Sequence, residues 1–308
     1  MKILVTGGAG FIGSHIADAY SAAGHDVVII DNLSTGREKN INPQATFIKM
    51  DIRDRTITDV FQQFHFDIVN HQAAQMDVRL SVRDPIFDAE NNVIGLLNVV
   101  QNAADHGVKK VIYASSGGVV YGEQDYFPAD EEHPQRPYCP YGVTKLVGEK
   151  YLYYYAKTVN LTYTAFRYAN VYGPRQNPHG EAGVIAIFLQ KLFNREQAVI
   201  NGDGRQTRDY VYVADVVQAN VMALTGGDND VFNIGTGIEL DVNNIYQLLN
   251  TLTGAHMPEK HGPAKAGEQR RSVLDIKKAL TLLQWQPEYD FEQGLAATVE
   301  YFKEYELF

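Results

Sequence analysis

Cysteine is nearly absent: Cys139 is the only one in 308 residues. A single thiol excludes an internal disulfide framework and leaves no cysteine pair for a zinc site, so no metal is expected. Long apolar runs are missing as well. No stretch approaches the roughly 20 apolar residues that a membrane-spanning helix needs, so no membrane partner is expected. Basic residues are outnumbered, 27 Lys and Arg against 37 Asp and Glu, for a formal charge of −10. Nucleic acid and anionic lipid are poor partners for such a surface, and a polyanionic ligand would need a local cluster of arginines. Met1 runs straight into an apolar segment with no charged leader, which predicts a cytoplasmic address. Repeats and low-complexity segments are absent too.

What the chain does have is an ordinary globular composition, 45% apolar and 21% charged, and an alternation of short β-rich runs with helical segments. Lys2–Thr6, Val27–Asp31, Thr46–Met50, Ile68–Asn70, Lys110–Ser115 and Leu161–Arg167 read as strands. Phe11–Ala23, Arg55–Phe64, Pro85–His106 and Tyr141–Thr158 read as helices. This order predicts an α/β fold, a Rossmann-type doubly wound parallel sheet that binds ligands at the carboxyl ends of its strands. After Pro174 the pattern loosens, with helices expected at Asp215–Leu224, around Leu248, Leu249 and Leu252, and at Phe291–Tyr305. The expected division is a nucleotide-binding domain of 1–173 plus about 210–238, and a smaller mixed α/β substrate lobe of about 174–209 and 239–308.

Gly8, Gly10 and Gly13 form GxGxxG between the first strand and the first helix. The glycines allow a tight turn and a close approach of backbone to a pyrophosphate, which then faces the helix N-terminus. Asp31 ends the second strand, where a carboxylate accepts hydrogen bonds from ribose hydroxyls and repels a 2′-phosphate; NAD is favoured, with Arg37 keeping NADP open. Asp51 and Ile52 follow the third strand and either hold the adenine amine or form a plain turn. Tyr141 and Lys145 lie four residues apart, one above the other on a helix face. An ammonium there stabilises a phenolate, and about 4 kcal/mol brings a phenol pKa from ~10 to neutrality.

Taken together, Thr6-Gly-Gly-Ala-Gly-Phe-Ile-Gly13, the Asp31 strand end, His71-Gln-Ala-Ala74, Ser115-Ser116 before Tyr121-Gly122, Tyr141-Gly-Val-Thr-Lys145 and Arg167-Tyr-Ala-Asn170 resemble the extended short-chain dehydrogenase/reductase superfamily. Over nearly the whole chain the resemblance is to its NAD-dependent 4-epimerases of the UDP-glucose/UDP-galactose type. Asp31-Asn-Leu-Ser-Thr-Gly36, Asn91-Asn92-Val and Gly202-Asp-Gly-Arg-Gln-Thr-Arg-Asp209 support it. By position, it implies NAD contacts from Gly7, Gly10, Phe11 and Ile12 at the turn, and from Asp31, Asn32, Ser34, Thr35 and Gly36 after the second strand. Further contacts are implied from Asp51, Ile52, Gln72, Ala73, Ala74, Asn92, Tyr141, Lys145 and Tyr168.

For the substrate, the resemblance implies Asn170 and Arg208 on the diphosphate, Glu268 on the uridine ribose and Lys265 where a second arginine often stands. Arg208 alternatively pairs with Asp209, and Arg270 or Arg271 compensates for Lys265. The family's catalytic hydroxyl position falls on Gly117; either Ser116 takes the role, or a water and Tyr141 do. Gly117-Gly118-Val119 also lacks the acidic residue of related 4,6-dehydratases and UDP-glucuronate decarboxylases, which need a further acid or base. Ser272 stands where the family varies between tyrosine and a small residue beside the sugar, so it either admits a 2-acetamido group or simply starts a strand. The implied cycle has Tyr141 take the C4 hydroxyl proton while hydride passes to NAD, after which a 4-keto sugar turns over and is reduced on its other face. A homodimer through the helices at Pro85–His106 and Tyr141–Thr158 is implied as well. A UDP-glucuronate 4-epimerase using Arg79, Lys265, Arg270 and Arg271, a dehydrogenase releasing NADH, and a non-catalytic nucleotide-sugar sensor are the other readings.

Overall fold

The structure, a computed structural model, describes residues 1–178, 183–265 and 269–305. Strands β1 (Lys2–Thr6), β2 (Asp26–Asp31), β3 (Thr46–Lys49), β4 (Ile68–His71), β5 (Lys110–Ser116) and β6 (Thr162–Tyr168) alternate with helices. Helices α1 (Phe11–Ala22), α2 (Ile57–Phe64), α3 (Val78–Arg83), α4 (Pro85–Ala89), α5 (Gly95–Asp105), α6 (Gly117–Val120) and α7 (Pro140–Val159) lie between them. The second half contributes β7 (Asn170–Tyr172), α8 (Val184–Phe193), β8 (Ile200–Asn201), β9 (Thr207–Tyr212), α9 (Val213–Met222) and β10 (Asp230–Ile234). It closes with β11 (Glu239–Asp241), α10 (Val242–Leu252), β12 (His261–Gly262) and α11 (Phe291–Tyr305).

Seven strands form one parallel sheet in the order β10-β6-β5-β4-β1-β2-β3, the doubly wound arrangement expected. Its strands are apolar on both faces because both are covered. Ile3, Val5, Val27 and Ile29 face one core with α1 and α9, and Leu4, Val28 and Ile30 face the other with α2, α5 and α7. That alternation is the two-residue period of a strand. A third core joins α8, α10 and α11 to β9 through Phe188, Tyr246, Leu249, Leu295 and Phe302. Beside it β7, β9 and β11 form a separate three-stranded mixed sheet, so the chain leaves the large sheet at Asn170 and returns to it only at β10.

The segment read as one helix over Pro85–His106 is instead α4, a π-helical turn at Glu90–Ile94, and α5. The widened turn sets Asn92 against the loop after β4, where its amide brackets Gln75: Oδ1 accepts the Gln75 N–H at 2.8 Å and Nδ2 donates to the Gln75 carbonyl at 2.8 Å. None of the described helices is long and apolar enough to cross a membrane.

Candidate active site

The turn after β1 is built for close approach. Gly7 has φ +71°, and a Cβ there would stand 2.7 Å from the Ala73 amide nitrogen. A Cβ on Gly13 would meet the Gly7 carbonyl at 2.2 Å, so α1 can start this close to the turn only with glycine. On Gly10 a Cβ would press on the Gly7 oxygen at 3.1 Å, so this position too favours glycine and leaves the backbone bare toward a pyrophosphate. Phe11 and Ile12 open α1 half-buried. Asp31 is buried and already oriented: its carboxylate accepts the Ala9 N–H at 3.0 Å and the Leu33 N–H at 2.8 Å. Gly36 packs so tightly on it that a Cβ would fall 2.8 Å from Asp31 Oδ1. These residues fit the adenosine end of NAD.

Around them, Asn32, Ser34 and Thr35 are exposed at the mouth of the turn. Arg37, the residue that kept NADP open, donates to Asn177 Oδ1 at 3.3 Å. Asp51 is gripped by Arg53 through Nε at 2.9 Å and Nη2 at 2.8 Å, and accepts from Asn32 at 2.9 Å. Its bonds to Arg53 hold its carboxyl well below the usual range. That geometry gives the plain-turn alternative a physical basis. The Ile52 side chain is in the core, where it leaves no room for a Cβ on Gly95. Gln72, Ala73 and Ala74 run out half-buried from β4, with the Gln72 N–H on the Thr6 carbonyl at 3.1 Å. Tyr168 is buried at the end of β6, its hydroxyl accepting from Asn220 at 2.8 Å.

Helix α7 begins at Pro140, preorganised for a first turn, with the Cys139 sulfur accepting the Gly142 N–H at 3.4 Å. Tyr141 is half-buried in that turn and Lys145, 3% exposed, lies one turn on. The Lys145 ammonium donates to the Ala114 carbonyl on β5 at 2.8 Å and stands 5.7 Å from the Tyr141 ring centre. Burial lowers its pKa to about 8, partly offset by the Asp88 carboxylate. Tyr141 departs from the expectation of a depressed pKa. Burial pushes its phenol up, and Asp88 and Cys139 push the same way. Desolvation of the phenolate outweighs the lysine in the protein by itself.

Ser116 ends β5, two residues beyond the Ala114 carbonyl that holds Lys145. Its neighbour Ser115 points the other way, donating to Glu149 Oε1 on α7 at 2.5 Å. A Cβ on Gly118 would lie 4.0 Å from Ser116 Oγ and 3.9 Å from Asn170 Oδ1, so the catalytic and diphosphate candidates flank one small glycine. A side chain at Gly117 requires the packing over it to shift. A Cβ there would stand 2.6 Å from Leu274 Cδ1, and Leu274 is 1% exposed.

Arg208, on β9, is half-buried and donates to the Thr207 carbonyl at 2.7 Å. It does not pair with Asp209, which turns inward to accept from Thr236 N–H and Oγ1 and from Gly237 N–H at 2.7–3.0 Å. Ser272 is buried alongside, its carbonyl accepting the Asp209 N–H at 2.9 Å. Lys265 is exposed, and Glu268 lies outside the described residues. Arg270 and Arg271, the expected compensation for Lys265, each hold a carboxylate in a forked ion pair. Arg270 holds Asp203 at 2.8 and 2.9 Å, and Arg271 holds Glu239 at 3.0 and 2.6 Å.

Sequence reasoning missed a buried polar frame behind the site. Arg167 and Glu149, 2% and 3% exposed, form a two-point ion pair at 3.0 and 2.7 Å. Arg167 also donates to the Tyr121 hydroxyl at 2.9 Å and the Glu131 carbonyl at 3.1 Å. Glu149 continues the four-residue spacing of Tyr141 and Lys145, and that continuation was the available signal. Among the described residues no cluster of His, Cys, Asp or Glu is placed to hold a metal ion.

Residues 3–235 match the model of the NAD dependent epimerase/dehydratase family. The UDP-glucose 4-epimerase of Mycolicibacterium smegmatis is 43% identical, covering 98% of this chain and 99% of its own. A crystal structure of the UDP-glucose 4-epimerase of Thermotoga maritima with UDP-glucose superposes with TM-score 0.97 at 46% identity, covering 99% of both chains. A UDP-N-acetylglucosamine 4-epimerase from Methanobrevibacter ruminantium, in complex with UDP-N-acetylmuramic acid, gives TM-score 0.93 at 35% identity over 98% of both chains. With a glycine turn and Asp31 at one end of the sheet edge and Tyr141 and Lys145 at the other, this chain belongs to the NAD dependent epimerase/dehydratase family.

Proposed function

We propose that this protein interconverts UDP-glucose and UDP-galactose by NAD-dependent inversion at C4. The observation that carries the reading is the Lys145 ammonium, 5.7 Å from the Tyr141 ring and bonded to the β5 backbone two residues before Ser116, in a sheet whose first turn fits a dinucleotide. Full-length likeness to two UDP-glucose 4-epimerases supports it.

Bound NAD supplies the acceptor and donor of the C4 hydride, and a positive ring that favours a phenolate nearby. The chain supplies the rest. Tyr141 takes the C4 hydroxyl proton and later returns it. Lys145, anchored on the Ala114 carbonyl, holds its charge next to that phenol and orients the cofactor ribose. Ser116 provides the hydroxyl that Gly117 cannot, carrying the proton between sugar and Tyr141. Asn170 and Arg208 grip the diphosphate, Arg208 with a planar fork suited to phosphate oxygens, while the 4-keto sugar turns over. Lys265 adds a point charge there, and Glu268 takes the uridine ribose. A small residue at 272 extends the activity to the N-acetylated pair.

The protein acts as a homodimer in this proposal. Helix α7 carries an apolar groove of about 490 Å³ lined by Leu146, Val147, Lys150, Tyr151 and Tyr154, and Ile86 and Ile94 are exposed on the neighbouring α4 and π-turn. Contiguous apolar surface of this kind marks an interface. The cytoplasmic address expected from composition is part of the same proposal.

The test is to incubate purified protein, without added cofactor, with UDP-galactose, UDP-N-acetylgalactosamine or UDP-galacturonate and resolve the C4 epimers. Conversion of the first two is expected. Conversion of the uronate alone replaces the proposal with a uronate epimerase, and no conversion even with NAD leaves the sensor reading.

A further inference from the structure

Behind Tyr141 and Lys145 lies a carboxylate that the reaction does not itself use. Asp88, in α4, is 0% exposed. Its Oδ1 accepts from Gln75 Nε2 at 2.9 Å and Asn92 Nδ2 at 3.0 Å, and its Oδ2 accepts from Thr144 Oγ1 at 3.0 Å. Those three donors come from three different segments. Gln75 is in the loop after β4 that continues from the cofactor-facing Gln72–Ala74, Asn92 is in the π-helical turn, and Thr144 sits between Tyr141 and Lys145 on α7. The single Thr144 hydroxyl proton is shared between Asp88 and the Tyr141 carbonyl, each 3.0 Å away. Burial pushes the Asp88 carboxyl up, while the hydrogen bonds from Thr144 and Gln75 and the nearby Lys145 charge favour the anion.

We propose that Asp88 is a positioning residue for the Tyr141–Lys145 pair: a fixed buried anion that ties the cofactor-side loop and the π-helical turn to the first turn of α7 and keeps the Lys145 ammonium charged. The inference rests on the epimerase reading of the same site. Its electrostatics run both ways. The Asp88 charge raises Lys145 against the burial that lowers it, and it also raises Tyr141. The other titratable groups facing the pair are His71 from β4, Tyr113 from β5, whose ring centre is 5.1 Å from the Lys145 ammonium, and Cys139 ahead of α7. Burial holds His71 neutral, its pKa lowered to about 3, and holds Tyr113 protonated, its pKa well above the ordinary value. Asp88 is therefore the fixed charge opposite the ammonium.

Asp88→Asn keeps the shape and the Oδ1 acceptor while removing the charge. Both limbs of the kcat–pH profile are expected to move to lower pH by about one unit, because Tyr141 and Lys145 lose the same stabilisation of their protonated forms. Thr144→Val cuts the tie to α7 with the charge in place; kcat falls several-fold and neither limb moves. A purely structural Asp88 would lower kcat in both variants without shifting a limb, and that result overturns the proposal. Should Asp88→Asn not fold, Asp88→Ser, smaller and neutral, is expected to give the same shift. Ultraviolet titration of the Tyr141 phenolate, taken as the difference from Tyr141→Phe with and without Asp88→Asn, reads the shift without turnover. Failure of the epimerase reading and failure of this one are thus separable.

Discussion

Lys145 reaches from the catalytic helix to the backbone of β5, its ammonium 2.8 Å from the Ala114 carbonyl, two residues before Ser116. One hydrogen bond thus fixes the charge relative to both the Tyr141 ring on its own helix and the hydroxyl at the strand end. The phenol is pushed up by burial, so this charge and that of bound cofactor have to work together to generate a base. Tyr141→Phe removes the proton acceptor and little else. Turnover is expected to fall by about 10²–10⁴-fold while NAD remains bound. Epimer formation assayed beside the nicotinamide absorbance of the purified variant checks both halves, and near-native turnover would remove Tyr141 from the chemistry.

The serine assignment has its own discriminating pair. Ser116→Ala is expected to lower kcat by about 10²-fold or more with NAD affinity intact. Gly117→Ser, which restores the family's hydroxyl position, is not expected to rescue it, because its Cβ would press on buried Leu274. It should cost about 1–3 kcal/mol of stability by overpacking. Rescue of Ser116→Ala by Gly117→Ser would reverse the assignment.

Ser272 lies next to Arg208 through the Asp209–Ser272 backbone bond, two residues before the leucine that covers Gly117. Ser272→Tyr is expected to cut kcat/KM for the N-acetylated substrate at least about tenfold more than for the plain hexose, since the added ring occupies the space of the acetamido group. Competition assays with both UDP-sugars measure the ratio directly. Equal loss on the two would mean that residue 272 supports the fold without selecting the sugar.

Breaking the Arg167–Glu149 pair from one side leaves an uncompensated charge at 2% exposure. Glu149→Ala is expected to cost about 3–5 kcal/mol in urea unfolding. Joint replacement, Glu149→Leu with Arg167→Met, should recover much of that loss, because the pair's own desolvation cost disappears with it. Comparable instability of the single and double variants would argue that the pair's other bonds, to Ser115 and Tyr121, matter more than its charge.

His71 makes a pH prediction. It is 1% exposed, hydrogen-bonded to Thr6 Oγ1 at 2.9 Å, and burial with the Lys145 charge holds its pKa down at about 3. In the unfolded chain it titrates near ~6.5. Between these values the unfolded state binds one more proton than the folded state, so stability is lost as pH falls, at up to about 1.4 kcal/mol per unit. His71→Asn should flatten the dependence by that amount between about pH 6 and about pH 4. Parallel slopes for the two proteins would show that His71 does not set it.

The period-two alternation of Ile3, Leu4 and Val5, the glycine spacing, Asp31 at a strand end and the four-residue step from Tyr141 to Lys145 are local facts, and they carried the fold and the cofactor end of the site. Each depends on neighbours a few residues away, where backbone geometry makes spacing equivalent to position. What the sequence could not hold was anything decided by which distant side chain arrives. Asp209 turns to Thr236 and not to Arg208; Arg270 and Arg271 are claimed by Asp203 and Glu239; Leu274 closes the space over Gly117. Asp88 looked like an ordinary charged residue, and Arg167 only like one member of a motif, until the packing of α4 and β6 against α7 buried them. A charge acquires its meaning from the water it loses and the partner it meets, and both are properties of the tertiary structure.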